Sequence, residues 1–461
     1  MWSKLLGKGL LLKVYFKNYF LCLYYKMGGG LMQLVAYGAQ DIYLTGNPQI
    51  TFFKVVYRRH TNFSIECIQQ TFNGTIGLSA STVTATIARN GDLVSNMHLD
   101  VNLNADNIEA AVKGPLTADQ TYLNWTNNTG HALIDSVEVE IGGQKIDKHY
   151  GLFLDIYNEL TDHEESEWTG LNKHASKNSY LTSQKVITAG GGIMDNHRLY
   201  VPLKFWFNRN PGLALPLIAL QYHEVKVKLA TRALVNLVNT NGTLTPPDVA
   251  PDVVLWVDYI YLDTDERRRF AQQSHEYLIE QVQREQATAS ESQKLNFNHP
   301  VKELMWVIQD NDSFAEGGTA AADINADANV DGAVANNNDY FCYLNADGPL
   351  EQINGQQSRE GFGTFKLQLN GHDRFAAKNA SYFRTVQPIQ AGHKVPKKHI
   401  YNYSFALKPE EHQPSGTCNF SRIDNAKMRF SSVATGTLTC YAINYNVLRI
   451  MSGMGGLAYS N

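Results

Sequence analysis

The sequence predicts an all-β chain of two similar antiparallel sandwiches with a few short helices, and three observations carry that prediction. First, one pattern occurs twice. Residues 199–231 read as an aromatic strand, a Pro-Gly turn, an apolar stretch and then strict alternation; residues 400–433 repeat the order around a Pro-Ser-Gly turn. Second, each block is followed by one more aromatic strand, LWVDYIYLD at 255–263 and YAINYNVLRIM at 441–451. Third, 24 Tyr and 20 Phe favour strands, and 461 residues are too many for one β-domain and about right for two. Duplication multiplies lateral contact surfaces, which suits a building block better than a catalyst.

From Gly38 the pattern is β. QITFFKVVYRRHTNF (49–63) is aromatic and β-branched, with Asn47-Pro48 punctuating its start. STVTATIAR (81–89) alternates, and Asn90-Gly91 after it is a hairpin signal. HLDVNLN (98–104) alternates, as does ALIDSVEVEIGG (132–143), which ends in a Gly-Gly turn. One helix is expected over 149–165, where Leu152, Ile156 and Leu160 recur at four-residue spacing. Residues 263–283 join the halves. Arg267, Arg268 and Arg269 read there as a linker cluster pairing with carboxylates of either domain, with nucleic acid as the alternative, and EYLIEQVQ then opens the second half as a strand. Residues 310–339 are rich in Ala, Asn, Asp and Gly, too poor in large apolar groups to form core, and read as a long exposed loop. The terminal run SGMGGLAYSN reads as a tail tucked along a neighbouring surface.

Chemistry is sparse. The net charge is −4 and no long basic stripe follows residue 26, which argues against a genome-wrapping or groove-reading protein. Fourteen histidines include no H-E-x-x-H, no H-x-H and no zinc-like His–Cys spacing. His163-Glu164-Glu165 and Glu410-Glu411-His412 read as solvated surface. No G-x-S-x-G elbow and no phosphate-cradling G-x-x-x-x-G-K-[ST] loop occurs, so neither a catalytic site nor a cofactor is expected. Asp327, Asn329, Asp331 and Gly332 mimic the start of a calcium loop, but the twelfth position is Asn338 instead of Glu and no flanking helices are expected. The five cysteines, Cys22, Cys67, Cys342, Cys418 and Cys440, are odd in number and lack C-x-x-C spacing, as expected of small buried thiols in a reducing compartment. Of nine N-x-[ST] sequons, Asn241 and Asn311 lie in loop sequence and are the glycan candidates; Asn62, Asn402 and Asn419 sit in strand-like stretches next to the core.

Residues 1–26 hold five lysines and no acid in an apolar, aromatic background. A signal peptide fits poorly, because Lys13 and Lys17 interrupt the apolar region and no small-residue cleavage site follows. A basic amphipathic segment touching a membrane surface is a second reading. The third is an extension upstream of a start at Met27. Met32 stands where a myristoylation motif needs Ser or Thr, which excludes that modification.

Several stretches are distinctive as exact words: LVAYGAQDIYLTGNPQITFFKVVYRRHTNF (34–63), GGQKIDKHY (142–150), NPGLALPLIALQYHEVK (210–226), WVDYIYLDTDERRRFAQQSHEYLIEQ (256–281), QLNGHDRF (368–375), YSFALKPEEHQPSGTCNFSRIDNA (403–426) and NYNVLRIMSGMGGLAYSN (444–461). Together they resemble the major capsid proteins of the nucleocytoplasmic large DNA viruses, those of algal viruses above all. The resemblance runs from 27 to 461; residues 1–26 fall outside it, and 310–339 is a region where members vary. It implies two tandem eight-stranded jelly rolls: an inward-facing segment at 27–48, a first roll at 49–263, a linker at 264–274 and a second roll at 275–461. It further implies homotrimeric capsomers of pseudo-hexagonal outline tiling an icosahedral virion shell assembled in the host cytoplasm. Minor capsid proteins and an inner membrane would lie near the N-terminal segment, and no sequence-specific nucleic-acid contact is implied. A minor capsid paralogue, a carbohydrate-binding jelly roll and a hydrolase with dispersed carboxylates are the alternatives.

Overall fold

The computed structural model describes residues 38–77, 79–103, 123–126, 128–161, 197–240, 251–309, 350–353 and 356–459, with single positions at 32, 34, 36, 341 and 343. Two compact units divide the chain, 1–60 and 61–461. In the smaller unit, Ile42–Thr45 form one helical turn, and the Asp41 carboxylate accepts the Gly38 N–H at 2.8 Å. Residues 46–62 form no strand, which corrects the β expectation for 49–63: the ladder begins only at Phe63. Apolar side chains at 50, 52, 53, 55, 56 and 57 do not alternate, so they offer no single face to a sheet, and β-propensity alone does not make a strand.

The larger unit begins with eight main strands. They are β1 (Phe63–Gln70), β2 (Ser81–Thr86), β3 (Leu93–Leu103), β4 (Ile134–Ile141), β5 (Gln144–Tyr150), β6 (His197–Pro202), β7 (Val225–Thr231) and β8 (Asp252–Leu262). One antiparallel sheet has the order β1-β8-β3-β6 and its partner the order β2-β7-β4-β5. Alternation sets the faces: along β7, Val225, Val227, Leu229 and Thr231 are buried while Lys226, Lys228 and Ala230 are half-buried. The Gly142-Gly143 turn closes β4 onto β5 with φ of 59° and 84°, which glycine adopts without strain. Asn90-Gly91 makes no hairpin, contrary to its sequence signal. It carries the chain from β2 in one sheet to β3 in the other. The glycine is needed for close approach instead, since a Cβ there would lie 2.8 Å from Tyr259 Cβ. The expected helix is α1 (Gly151–Thr161), with Phe153, Leu154, Ile156, Tyr157 and Leu160 buried and Leu152 half-buried; positions 162–165 lie outside the described residues.

The joining segment, read from sequence as a linker with no element assigned to it, contains a helix, α2 (Thr264–Gln272). Asp263 caps it by accepting the Thr264 N–H at 2.7 Å. Asp265 and Glu266 in the first turn and Arg269 in the last oppose the helix dipole correctly. Arg267 pairs with the nearly buried Asp92 at 2.9 Å, as the linker reading required.

Eight further strands repeat the first set. They are β9 (His275–Thr288), β10 (Ser292–Leu295), β11 (Pro300–Gln309), β12 (Thr364–Leu369), β13 (His372–Asp373), β14 (Tyr401–Ser404), β15 (Ala426–Ser431) and β16 (Thr437–Met451). Their sheets run β9-β16-β11-β14 and β10-β15-β12-β13, so every strand takes the place of the strand eight before it. Even a minor pairing recurs: Leu215–Pro216 adds to the start of β3, and Cys418–Asn419 adds to the start of β11. Each half is an eight-stranded jelly roll. The terminal run turns at Ser452-Gly453 and pairs as β17 (Met454–Leu457) with Leu448–Met451 of its own chain. Cys440 is buried, Cys418 is half-buried and Cys67 is exposed on the edge strand β1, so the buried-thiol expectation fails at Cys67. Cys22, Cys342 and the 310–339 loop lie outside the described residues.

Candidate functional site: the seam between the two jelly rolls

A building block works by holding its parts in one arrangement, so the side chains that fix one roll against the other form the site of interest. Both β11 and β16 are buried on their two faces, as their near-continuous apolar sequences require. Leu304, Trp306, Ile308, Cys440 and Ala442 point into the second roll's core, where the Trp306 ring lies 4.8 Å from Phe365 and 5.7 Å from Phe383. Met305, Val307, Tyr441 and Ile443 point the other way and join the first roll's core. There Phe153 of α1 packs 5.5 Å from Tyr441, and Tyr150 of β5 lies 6.1 Å from it.

Charged groups are threaded through this apolar seam. Arg209, from the helical turn Trp206–Arg209 of the first roll, pairs with Glu280 on β9, and its guanidinium lies 4.5 Å over the Tyr157 ring. Glu280 also holds Lys302 of β11 at 2.8 Å, and the buried Lys302 ammonium donates to the Pro409 carbonyl at 2.6 Å. Next to Lys302, the buried Glu303 meets His393 Nε2 at 2.8 Å and accepts from Asn402 Nδ2 at 3.3 Å, while His393 Nδ1 meets Glu410 at 2.7 Å. Burial disfavours the charged forms of both Glu303 and His393, but each outweighs that penalty for the other. Glu303 stays below the usual carboxylate range, and His393 is pushed up to about 9 by Glu303 and Glu410. With His393 protonated, three cations (Arg209, Lys302, His393) balance three carboxylates (Glu280, Glu303, Glu410), the condition under which buried charge is tolerable.

A second hub sits on α1. Both Asp155 oxygens lie 2.7 Å from Lys398 Nζ, one accepts from Tyr343 at 2.7 Å and the other from Asn128 at 2.7 Å. Backbone groups add to it: Asp147 accepts the Val282 N–H at 3.0 Å, the Lys394 N–H donates to the Leu160 carbonyl at 2.8 Å, and Gln281 donates to the Ile146 carbonyl. At the far end, the Tyr222 N–H donates to the Gly453 carbonyl at 3.0 Å. A hydrophobic face with matched buried charges admits one orientation and penalises others, because any slip strands a charge.

Sequence reading missed nearly all of this set. Glu410 was read as solvated surface and is exposed, but the reading missed that its carboxylate meets His393. The available signal was Lys302-Glu303 inside the otherwise apolar run PVKELMWVIQ, a charge pair where neither could reach water. Of the sequons set beside the core, only Asn402 is buried; Asn62 and Asn419 are exposed. Asn241, Asn311, His163 and the calcium-like stretch lie outside the described residues. Among the described residues, no cluster of three or more His, Cys, Asp or Glu could hold a metal ion.

Residues 51–263 match the family described as major capsid protein N-terminus, and residues 266–456 match the large eukaryotic DNA virus major capsid protein family. The major capsid protein of Pyramimonas orientalis virus is 48% identical, over 94% of this chain and 100% of its own length. That of Paramecium bursaria Chlorella virus 1 is 44% identical over the same shares. Among solved structures, the quasi-atomic model of the PBCV-1 virus capsid superposes with a TM-score of 0.71 at 37% identity, covering 89% of this chain and 100% of the other. The Faustovirus major capsid protein, at 14% identity, shares the fold with a TM-score of 0.63, over 90% of this chain and 94% of its own.

Proposed function

The chain belongs to the large eukaryotic DNA virus major capsid protein family, and we propose that it is the repeating subunit of a virion shell, built as a homotrimer with a pseudo-hexagonal outline. It is a structural protein and not an enzyme, as its relatives are. The observation that supports the trimer is the one-for-one strand correspondence: each chain offers two equivalent jelly rolls, so three chains offer six in a ring. The proposed division is an inward-facing segment at 27–48, a first roll at 49–263, a linker at 264–274 and a second roll at 275–461.

In this reading the seam makes each subunit one rigid body, and the surfaces away from it make the contacts between protomers and between capsomers. Capsomer contacts can be individually weak, because a closed shell multiplies them. The N-terminal segment faces minor capsid proteins and an inner membrane, assembly takes place in the host cytoplasm, no sequence-specific nucleic-acid contact is made, and Asn241 and Asn311 are the sites for glycans. Electron images of the purified chain test the trimer: particles of hexagonal outline are expected, and a field of elongated two-lobed monomers would contradict it.

A further inference from the structure

A cleft of about 370 Å³ opens along the seam, away from the charge network, with Tyr150 and Arg232 on the first roll's side and Arg284, Gln286 and Thr439 on the second's. Arg232 is anchored there by donating to the Ala132 carbonyl at 2.7 Å and the Ile134 carbonyl at 3.2 Å, with Asp135 at 3.5 Å. Arg284 stands at the exposed rim, its guanidinium 3.8 Å over the Tyr150 ring, and has no carboxylate partner among the described residues. Thr439 lies on β16 between Gln286 of β9 and Val307 of β11. It is 1% exposed, and its Oγ1 has no hydrogen-bond partner. A buried hydroxyl without a partner is costly, and valine of the same shape would avoid the cost.

We propose that this cleft binds a small oxyanion of the phosphate class, held between Arg232 of one roll and Arg284 of the other with Thr439 Oγ1 donating to it. Two guanidiniums reaching in from separate bodies, with a hydroxyl beside them, suit a tetrahedral anion whose oxygens point apart; a planar carboxylate is satisfied by one guanidinium fork. The volume exceeds what phosphate fills, so a phosphomonoester fits the same contacts. Bound there, the anion cross-links the two rolls.

The test is thermal unfolding of the full chain in inorganic phosphate, in glycerol phosphate and in acetate, each against chloride at equal ionic strength. Phosphate or its ester is expected to raise Tm by a few degrees once well above its Kd, with acetate matching chloride. Thr439→Val is expected to leave Tm in chloride unchanged or higher while at least halving the phosphate-dependent rise, and Arg284→Gln to abolish that rise. A response to the ester alone identifies an esterified ligand and supports the site. Equal Tm in all four salts, a rise with acetate alone, or a phosphate rise undiminished in both variants would overturn the proposal. No shell is needed, so failure here leaves the capsid reading untouched.

Discussion

Lys398 of the second jelly roll places its ammonium 2.7 Å from both carboxylate oxygens of Asp155, the buried aspartate on α1 of the first. Asp155 is 2% exposed, so its charge depends on that partner and on the hydroxyl and amide beside it. Lys398→Met should therefore destabilise the fold by about 3–5 kcal/mol, the cost of stranding a buried charge. The double variant Lys398→Met, Asp155→Leu should recover most of the loss. Denaturant unfolding of the four proteins checks both, and a double variant as unstable as the single one would show that the pair is not the link.

His393 gives the seam an alkaline limit. Its folded pKa of about 9 lies above the ordinary 6.5, so its stabilising effect is complete below about pH 6.5 and is lost as pH rises through 9. The shift corresponds to roughly 3 kcal/mol. Tm measured from pH 6 to 10 should fall across that window, and His393→Gln should flatten the fall while lowering Tm at pH 6.

On the acid side, burial holds His399 neutral, with its pKa lowered to about 4. A depressed histidine favours the fold above its unfolded value and disfavours it below. Stability should therefore drop between pH 6.5 and 4, and the drop should shrink in His399→Phe. An unchanged acid limb in that variant would assign the drop elsewhere.

Two arginines should separate surface pairing from buried pairing. Arg267 is 62% exposed, and the buried Asp92 beside it keeps the Leu262 N–H that it accepts at 2.9 Å, so Arg267→Ala should cost less, about 1–2 kcal/mol. Arg209 is 18% exposed beside Glu280, and Arg209→Ala should cost about 3–5 kcal/mol, because Glu280 then keeps Lys302 alone and the network is left one cation short. Urea midpoints of the two variants compare them directly.

Gly91→Ala should cost about 1–3 kcal/mol, because the added methyl would lie 2.8 Å from Tyr259 Cβ, an atom too near the backbone to swing aside. A neutral effect on Tm would mean that the crossing from β2 to β3 is looser than described.

The strands were legible wherever one face is buried: β7 and β4 alternate in sequence because they alternate in space. The duplication was legible because aromatic strands, turns and alternation recur in order. Residues 49–62 misled because aromatic and β-branched content measures how well a side chain suits a sheet and says nothing about whether an edge is available. Asn90-Gly91 misled because a turn signal does not tell whether the next strand joins the same sheet. The helix α2 had its signature in DTDERRR, acids leading and bases trailing, but the arginine cluster was read only as charge. Asp155 and His393 were invisible because their partners, Lys398, Glu303 and Glu410, come from other elements.

The solution mass of the purified chain, by light scattering, tests the central claim most directly. A mass about three times the 51.6 kDa of one chain is the predicted result. A stable monomer at micromolar concentration would contradict a chain that forms its capsomer unaided.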